Sequence, residues 1–299
     1  MNERALQSGG RERYRVHSRF YSPPEEFDGC FTSFYQLRLE VEDGGAVCDH
    51  LQPEWGNIRF FGGSAPWVQI PGGTALSGAH FTGTGPSSLP AKFELGPVKM
   101  WGIGLLPLGW ARFMDVEARA LANMVVDGAQ HPAFRKFGVL CEILCDESCS
   151  DEEQLAAIVE TMRSLARPHR DEAKVIRVHR ALVDTKLTTV AEFSDRAGMS
   201  IRTLERLCRR YFGFSPKLLM RRQRFMRSLT EFLLHRGSKW TDVMDEHYHD
   251  QAQFSREFRE FMTMNPSEYA ALDHPILSSF VEARSRIWGS AAQTLDRPD

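Results

Sequence analysis

The strongest constraint on this 299-residue chain is a unit that occurs twice in its C-terminal third, fifty residues apart from Ile201 to Gln251. In the first copy, Thr188 or Thr189 is placed to cap a short helix whose apolar face is Val190, Phe193 and Ala197. Gly198 ends it, because a left-handed residue is cheapest as glycine. Ser200 caps the next helix, where Ile201, Leu204, Leu207, Cys208 and Tyr211 recur at three- and four-residue spacing as a buried stripe. In the second copy Trp240 to His247 is the short helix, Tyr248-His249-Asp250 the turn, and Gln251 to Phe261 the following helix, buried through Phe254, Phe258 and Phe261. Both copies close on a similar phrase, Gly213-Phe214-Ser215-Pro216 and Thr263-Met264-Asn265-Pro266. In each, proline suits the first turn of a new helix and the residue before it suits the cap. Two short helices around a tight turn, the second polar outside, are a helix-turn-helix signature.

Charge points the same way. The net charge of −2 hides a balance of −5 over residues 1–170 and +3 over 171–299. Within 196–239, twelve basic residues face only Glu205 and Glu231. Most are arginines, whose guanidinium fork suits phosphates and guanine edges. The outer faces of the two second helices carry Arg202, Glu205, Arg206, Arg209 and Arg210 in one copy and Gln251, Gln253, Ser255, Arg256, Arg259 and Glu260 in the other. Between the copies, Pro216 to about Leu234 predicts one helix of about 28 Å at 1.5 Å per residue. Readers about 34 Å apart meet successive major grooves on one face of B-DNA. Arg221, Arg222 and Arg224 near the start of that helix are placed either to touch phosphates or simply to solvate it.

The N-terminal half has a different texture. From Tyr14 to Gly109, short runs such as Phe31–Val41, Asn57–Phe61, Trp67–Ile70, Ala79–Thr82 and Val98–Leu105 alternate with Gly/Pro/Ser clusters, which predicts a sandwich or small barrel. Helices are predicted over 111–127 and 131–145. Ser150-Asp151-Glu152-Glu153 is a capping box opening another helix to about Leu165. The expected organisation is therefore α+β and multidomain: a β-rich domain over 1–165, a linker at 166–170, an all-α domain over 171–272 and a frayed tail over 273–299. No run approaches the roughly 20 apolar residues a membrane helix needs. The first residues lack the apolar core of a secretion signal, and six irregularly spaced cysteines suit reduced thiols, so the expected location is cytoplasmic.

Little in this half speaks for catalysis. His50, His80 and His131 stand apart, and no phosphate-cradling loop or nucleophile–base arrangement is present, so no catalytic residue, metal or cofactor is expected. Cys141 and Cys145, with Cys149 just beyond, fit either a thiol sensor or soft-metal site or a buried stripe ending near a cap. Trp55, Phe61, Trp67 and Trp101, with Phe60, Phe81 and Phe93, are either pocket walls for a small molecule or core.

The segments Ala197–Pro216 and Tyr248–Tyr269 resemble the two helix-turn-helix motifs of the AraC/XylS family of bacterial transcription regulators, over about 100 residues with matching spacing. His247 and Thr263 stand where that family commonly has glycine, and Ala252-Gln253 replaces a common Ser-His pair, which predicts strained or reshaped turns in the second unit. The resemblance implies base readers at Arg202, Glu205 and Arg206, then at Gln251, Gln253, Ser255 and Arg256, with Arg209 and Arg221 at the same interface. Arginine suits guanine, glutamine adenine, and Glu205 cytosine N4; Glu205 is equally placed to pair with Arg202 or Arg209 along its helix. Val98 to Phe113 looks like a phrase of the sensory domains attached to such regulators, which are cupin-like barrels with dimerisation helices. By that analogy the partners are double-stranded DNA, RNA polymerase, a small-molecule effector and a second copy of the chain. Two alternatives stay open for the N-terminal half: a dimerisation or protein-partner surface without a ligand, or a small-molecule-binding enzyme domain.

Overall fold

A computed structural model describes residues 14–235, 238–288 and 292–298. Its strands pair antiparallel in two sheets. One sheet runs β1 (Tyr14–Tyr21), β2 (Phe31–Val41), β9 (Val98–Leu105), β4 (Gly56–Gly63), β7 (Phe81–Thr84), β10 (Val125–Asp127), in spatial order. The other runs β3 (Val47–Leu51), β8 (Ala91–Leu95), β5 (Trp67–Gln69), β6 (Leu76–Ser77). They form an open sandwich. Strand alternation assigns the faces: Tyr35, Leu37, Leu39, Val98 and Met100 point between the sheets, with Phe61, Val68 and Phe93. Phe34, Ile58, Phe60, Trp101, Ile103 and Leu105 point to the helices on the other side. β9 is buried along its whole length because both of its faces are covered.

Helix α1 (Pro107–Phe113) starts on its proline but ends well short of the helix predicted over 111–127. A 3-10 turn at Ala118–Ala120 follows, and then β10, where the β-branched pair Val125–Val126 joins the sheet edge at β7. The helix predicted over 131–145 is likewise a 3-10 stretch, Arg135–Leu140, followed by the short α2 (Cys141–Leu144). Gly128 is pressed against the Phe81 ring, where a Cβ would come within 2.5 Å, so the chain here follows the sheet and not a helix axis. The capping box forms as predicted: Ser150 Oγ accepts from Glu153 N at 3.2 Å, Glu153 Oε2 accepts from Ser150 N at 2.9 Å, and α3 (Asp151–Leu165) follows.

The remaining helices are α4 (Glu172–Leu182), α5 (Val190–Arg196), α6 (Ile201–Leu207), α7 (Pro216–Leu234), α8 (Trp240–Val243), α9 (Gln251–Met262), α10 (Pro266–Ala270) and α11 (Pro275–Trp288). A π turn, Cys208–Phe212, extends α6. Where a frayed tail was expected from 273, α11 packs back onto the sandwich. Asp49 on β3 accepts from Ile276 N and Leu277 N at 2.9 and 2.8 Å, capping the helix from another part of the chain. Nothing local in the sequence announces that cap.

One core runs without a break from the outer face of the larger sheet through α1 and α3 into α4, α5, α6 and the start of α7. A second fills the space between the sheets and includes Ile276 of α11. A third joins the far half of α7 to α9, and Leu277 and Val281 of α11 belong to it. Residues 166–170 therefore connect elements that share one core. No helix among the described residues is long and apolar enough to cross a membrane.

Candidate nucleic-acid interface

The first helix-turn-helix unit is fixed by short-range chemistry. Thr189 and Glu192 form a capping box at the start of α5. Gly198 sits at φ +63°, in the left-handed turn that its sequence position predicts. Ser194 Oγ donates to Met199 O at 2.5 Å, and Arg177 of α4 donates to Ala197 O at 3.2 Å, so both sides of the turn are tied down. Ser200 caps α6, accepting from Thr203 N at 3.3 Å. Leu204, Leu207, Cys208 and Tyr211 are buried as the spacing requires, but Ile201 is 47% exposed, because the first turn of α6 projects beyond the packed face. Arg202, Glu205, Arg206 and Arg209 are exposed along the outer side.

The second unit has the same plan and a heavier set of polar ties. Asp250 caps α9 by accepting from Gln253 N at 2.6 Å, and Phe254, Phe258 and Phe261 are buried. Glu257, on the inner side of α9, accepts from Arg221 Nε at 2.8 Å, Arg224 at 2.6 Å and the Tyr248 hydroxyl at 2.9 Å. Arg221 also pairs with Glu260. A buried carboxylate with three donors from α7 and the turn sets the angle at which α9 leaves α7. Gln251 and Arg256 are exposed; Gln253 and Ser255 are half-buried, and Gln253 Oε1 accepts from His249 N at 3.0 Å, which ties that side chain to the turn.

The two glycine replacements behave differently. Thr263 takes φ +57°, a left-handed conformation that a β-branched residue adopts at a cost, so strain is stored there. His247 is not forced into that region; its Nδ1 pairs with Asp245 Oδ1 at 2.9 Å, and the turn is reshaped around Asp245, which also pairs with Arg227.

The arginines at the start of α7 do not face outward together. Arg221 and Arg224 tie α7 to α9. Arg222 is fully buried: Nη1 donates to Ser87 O at 2.8 Å, and the guanidinium lies 3.9 Å from the Trp55 ring centroid, while Nε and Nη2 have no partner. Burial lowers its pKa to about 9. His179 of α4 lies beside the same Trp55, its ring nitrogens buried without partners, and burial followed by the Arg222 charge pushes its pKa down to about 3. None of these three arginines is presented as a phosphate ligand.

Of the seven aromatics offered as pocket walls or core, Phe61 and Phe93 line a cleft between the sheets. Trp55 packs on Phe212 and His179 at the first helix-turn-helix unit. Trp101 is on the helix side, donating to Gln154 Oε1 at 2.7 Å, and Trp67 is half-buried on β5. The sequence reasoning missed the cleft's aliphatic walls, among them Val68, Ala91 and Met100; the alternation Ala91-Lys92-Phe93-Glu94-Leu95 was the signal that could have found Ala91. The thiols of Cys141, Cys145 and Cys149 are all raised above the ordinary range, that of Cys145 by burial to about 11, which disfavours a reactive thiolate. Among the described residues no group of three or more His, Cys, Asp or Glu side chains could hold a metal.

A family model for a helix-turn-helix domain matches residues 193–271, from within α5 to just past α10. No curated protein matches the chain. Among solved structures the chain is similar to ToxT from Vibrio cholerae, at 11% identity over 87% of this chain and 98% of that one, with a TM-score of 0.43. It is also similar to the AraC-like transcriptional activator CuxR, at 13% identity over 69% of this chain and 84% of that one, with a TM-score of 0.28.

Proposed function

Since residues 193–271 are an AraC-type helix-turn-helix domain, we propose that the protein is a sequence-specific transcription regulator reading double-stranded DNA with α6 and α9 in successive major grooves. The observation that carries this reading is the pair of exposed polar faces on similarly capped helices. Arg202, Arg206, Arg209 and Arg256 make no hydrogen bond or salt bridge among the described residues, so their guanidinium edges are available to bases and phosphates. Arg206 and Arg256 are assigned guanine, Gln251 adenine, and Arg202 and Arg209 a base edge or the flanking backbone. Glu205 is assigned cytosine N4. Gln253 and Ser255 contribute less, because they are half-buried. In this reading residues 1–165 respond to a small-molecule effector and pair two copies of the chain, and the dimer acts on RNA polymerase at the promoter.

The test is gel retardation of the gene's own upstream DNA against a scrambled competitor. Replacing Arg206 or Arg256 with alanine should weaken specific binding by about 1–3 kcal/mol each, roughly 5- to 150-fold, while leaving non-specific binding nearly unchanged. Unchanged specific binding by both variants would remove the proposed readers.

A further inference from the structure

One residue of α6 departs from the pattern of its neighbours. Helical spacing places Ile201 in the buried stripe, yet it is 47% exposed and, among the described residues, belongs to none of the three cores. Of the large apolar side chains exposed among the described residues, it is the one that lies on α6 or α9. Ala252 of α9 is exposed too, but its side chain ends at Cβ and reaches nothing beyond the helix surface. The other exposed residues of α6, Arg202, Glu205 and Arg206, are all charged. Helix formation gives no reason for an isoleucine here. The first turn favours acidic residues through the helix dipole, and β-branched side chains are weak helix formers.

The turn that carries Ile201 is fixed. Ser200 Oγ accepts from Thr203 N at 3.3 Å and lies 3.0 Å from Thr203 Oγ1, and Leu204 N donates to Ser200 O at 2.9 Å. The internal repeat gives an independent bearing on its direction. Fifty residues on, the position after the Asp250 cap is Gln251, exposed at the same place on α9. Ile201 also shares a helix face with Glu205, four residues along. In the major groove the one apolar group that a base edge offers is the C5-methyl of thymine. Isoleucine is stiff at χ1, so laying it against that methyl loses little side-chain entropy.

Resting on the reading of α6 as a helix that enters the major groove, we propose that Ile201 is a specificity-determining residue that recognises the C5-methyl group of a thymine. One helical turn, about 5.4 Å, spans one to two base-pair steps of about 3.4 Å, so this thymine lies within about two base pairs of the cytosine assigned to Glu205. The two units then address an A·T pair from the same place by different chemistry. Gln251 uses the hydrogen-bonding edge of adenine, and Ile201 uses the methyl of thymine. Cytosine at that place would set its N4 amino group against the isoleucine, which offers it no acceptor, so C·G is disfavoured there.

The experiment uses the full chain and the upstream DNA of the gel-retardation test, with uracil placed for thymine one position at a time. Uracil keeps the base pairing and the O4 acceptor and lacks only the methyl. Expected is a thymine, in the half-site whose recognition is lost in Arg206→Ala, whose replacement weakens specific binding about three- to fivefold, as burial of one methyl group implies. Ile201→Ala should bind the thymine and uracil forms at that position equally. No uracil effect in that half-site would overturn the proposal on the unmodified protein, whatever the variant's stability. An effect that persists in Ile201→Ala would also overturn it. The two readings fail separately: specific binding that is indifferent to uracil sinks this inference alone, whereas no specific binding of the DNA sinks the reading of α6 beneath it.

Discussion

Replacing Arg222 with methionine tests the reasoning about the join between sandwich and helices. In the folded chain its pKa falls from 12.5 to about 9, and at ~1.4 kcal/mol per unit burial disfavours the charged form by about 5 kcal/mol. Since this is a base whose folded pKa is depressed, the full penalty is present at every pH below about 9. Stacking on Trp55 returns about 2 kcal/mol, and the charge-assisted bond to Ser87 O about 1.5–3 kcal/mol. The opposing contributions nearly cancel. Methionine fills much of the same volume without the charge, so Arg222→Met should fall between unchanged and about 1–2 kcal/mol more stable, a rise of up to a few degrees in melting temperature. Arg222→Lys keeps the charge, loses the planar stack, and should cost about 2 kcal/mol. Urea denaturation of the three chains measures both. Specific DNA affinity and its salt slope should be the same for Arg222→Met as for the parent, since the group is enclosed; a phosphate contact would reduce the slope by about one. A methionine variant less stable by more than 2 kcal/mol, or one with a reduced salt slope, would refute the argument.

Glu257→Ala should cost about 1–3 kcal/mol in the second helix-turn-helix unit, because it leaves the buried Tyr248 hydroxyl without its acceptor while Arg221 keeps Glu260 and Arg224 keeps His247 O; hydrogen exchange localised to α9 would show it. Thr263→Gly should stabilise by about 1 kcal/mol by relieving the φ of +57°, and a lower melting temperature would contradict that. His179, neutral in the folded state with a pKa of about 3, takes up its proton only on unfolding as pH drops below the ordinary 6.5. Stability should therefore fall by about 2 kcal/mol between pH 6.5 and 5, and His179→Met should remove that part of the slope in denaturation at the two pH values.

How far the sequence spoke for itself varies along the chain. Both second helices, the Ser200 cap, the Gly198 turn and the long α7 were legible because caps, glycine and 3.6-residue periodicity are local signals, while Asp250, the cap of α9, was read only as part of the turn. β2 and β9 were legible to the residue because Gly/Pro clusters bound them. The stretch 111–145 was misread as helix because its apolar spacing is ambiguous, and pairing of Val125–Val126 with β7 settled it from outside the segment. The outward positions of Arg202, Glu205, Arg206, Gln251 and Arg256 followed from helical period, while the reading role given to them came from the family resemblance. The inward use of Arg221, Arg222 and Arg224 did not, since their partners Glu257, Glu260, Ser87 and Trp55 lie 33 to 167 residues away in the chain. The docking of α11 was hidden for the same reason: Asp49, which caps it, is 227 residues before Ile276.

The most direct test is a methylation-interference footprint of the protein on its own promoter. The account predicts two patches of major-groove guanine contact centred about one helical turn apart, with Arg206→Ala erasing one and Arg256→Ala the other. A single patch, or two patches that both survive either substitution, would contradict the claim that α6 and α9 read the DNA.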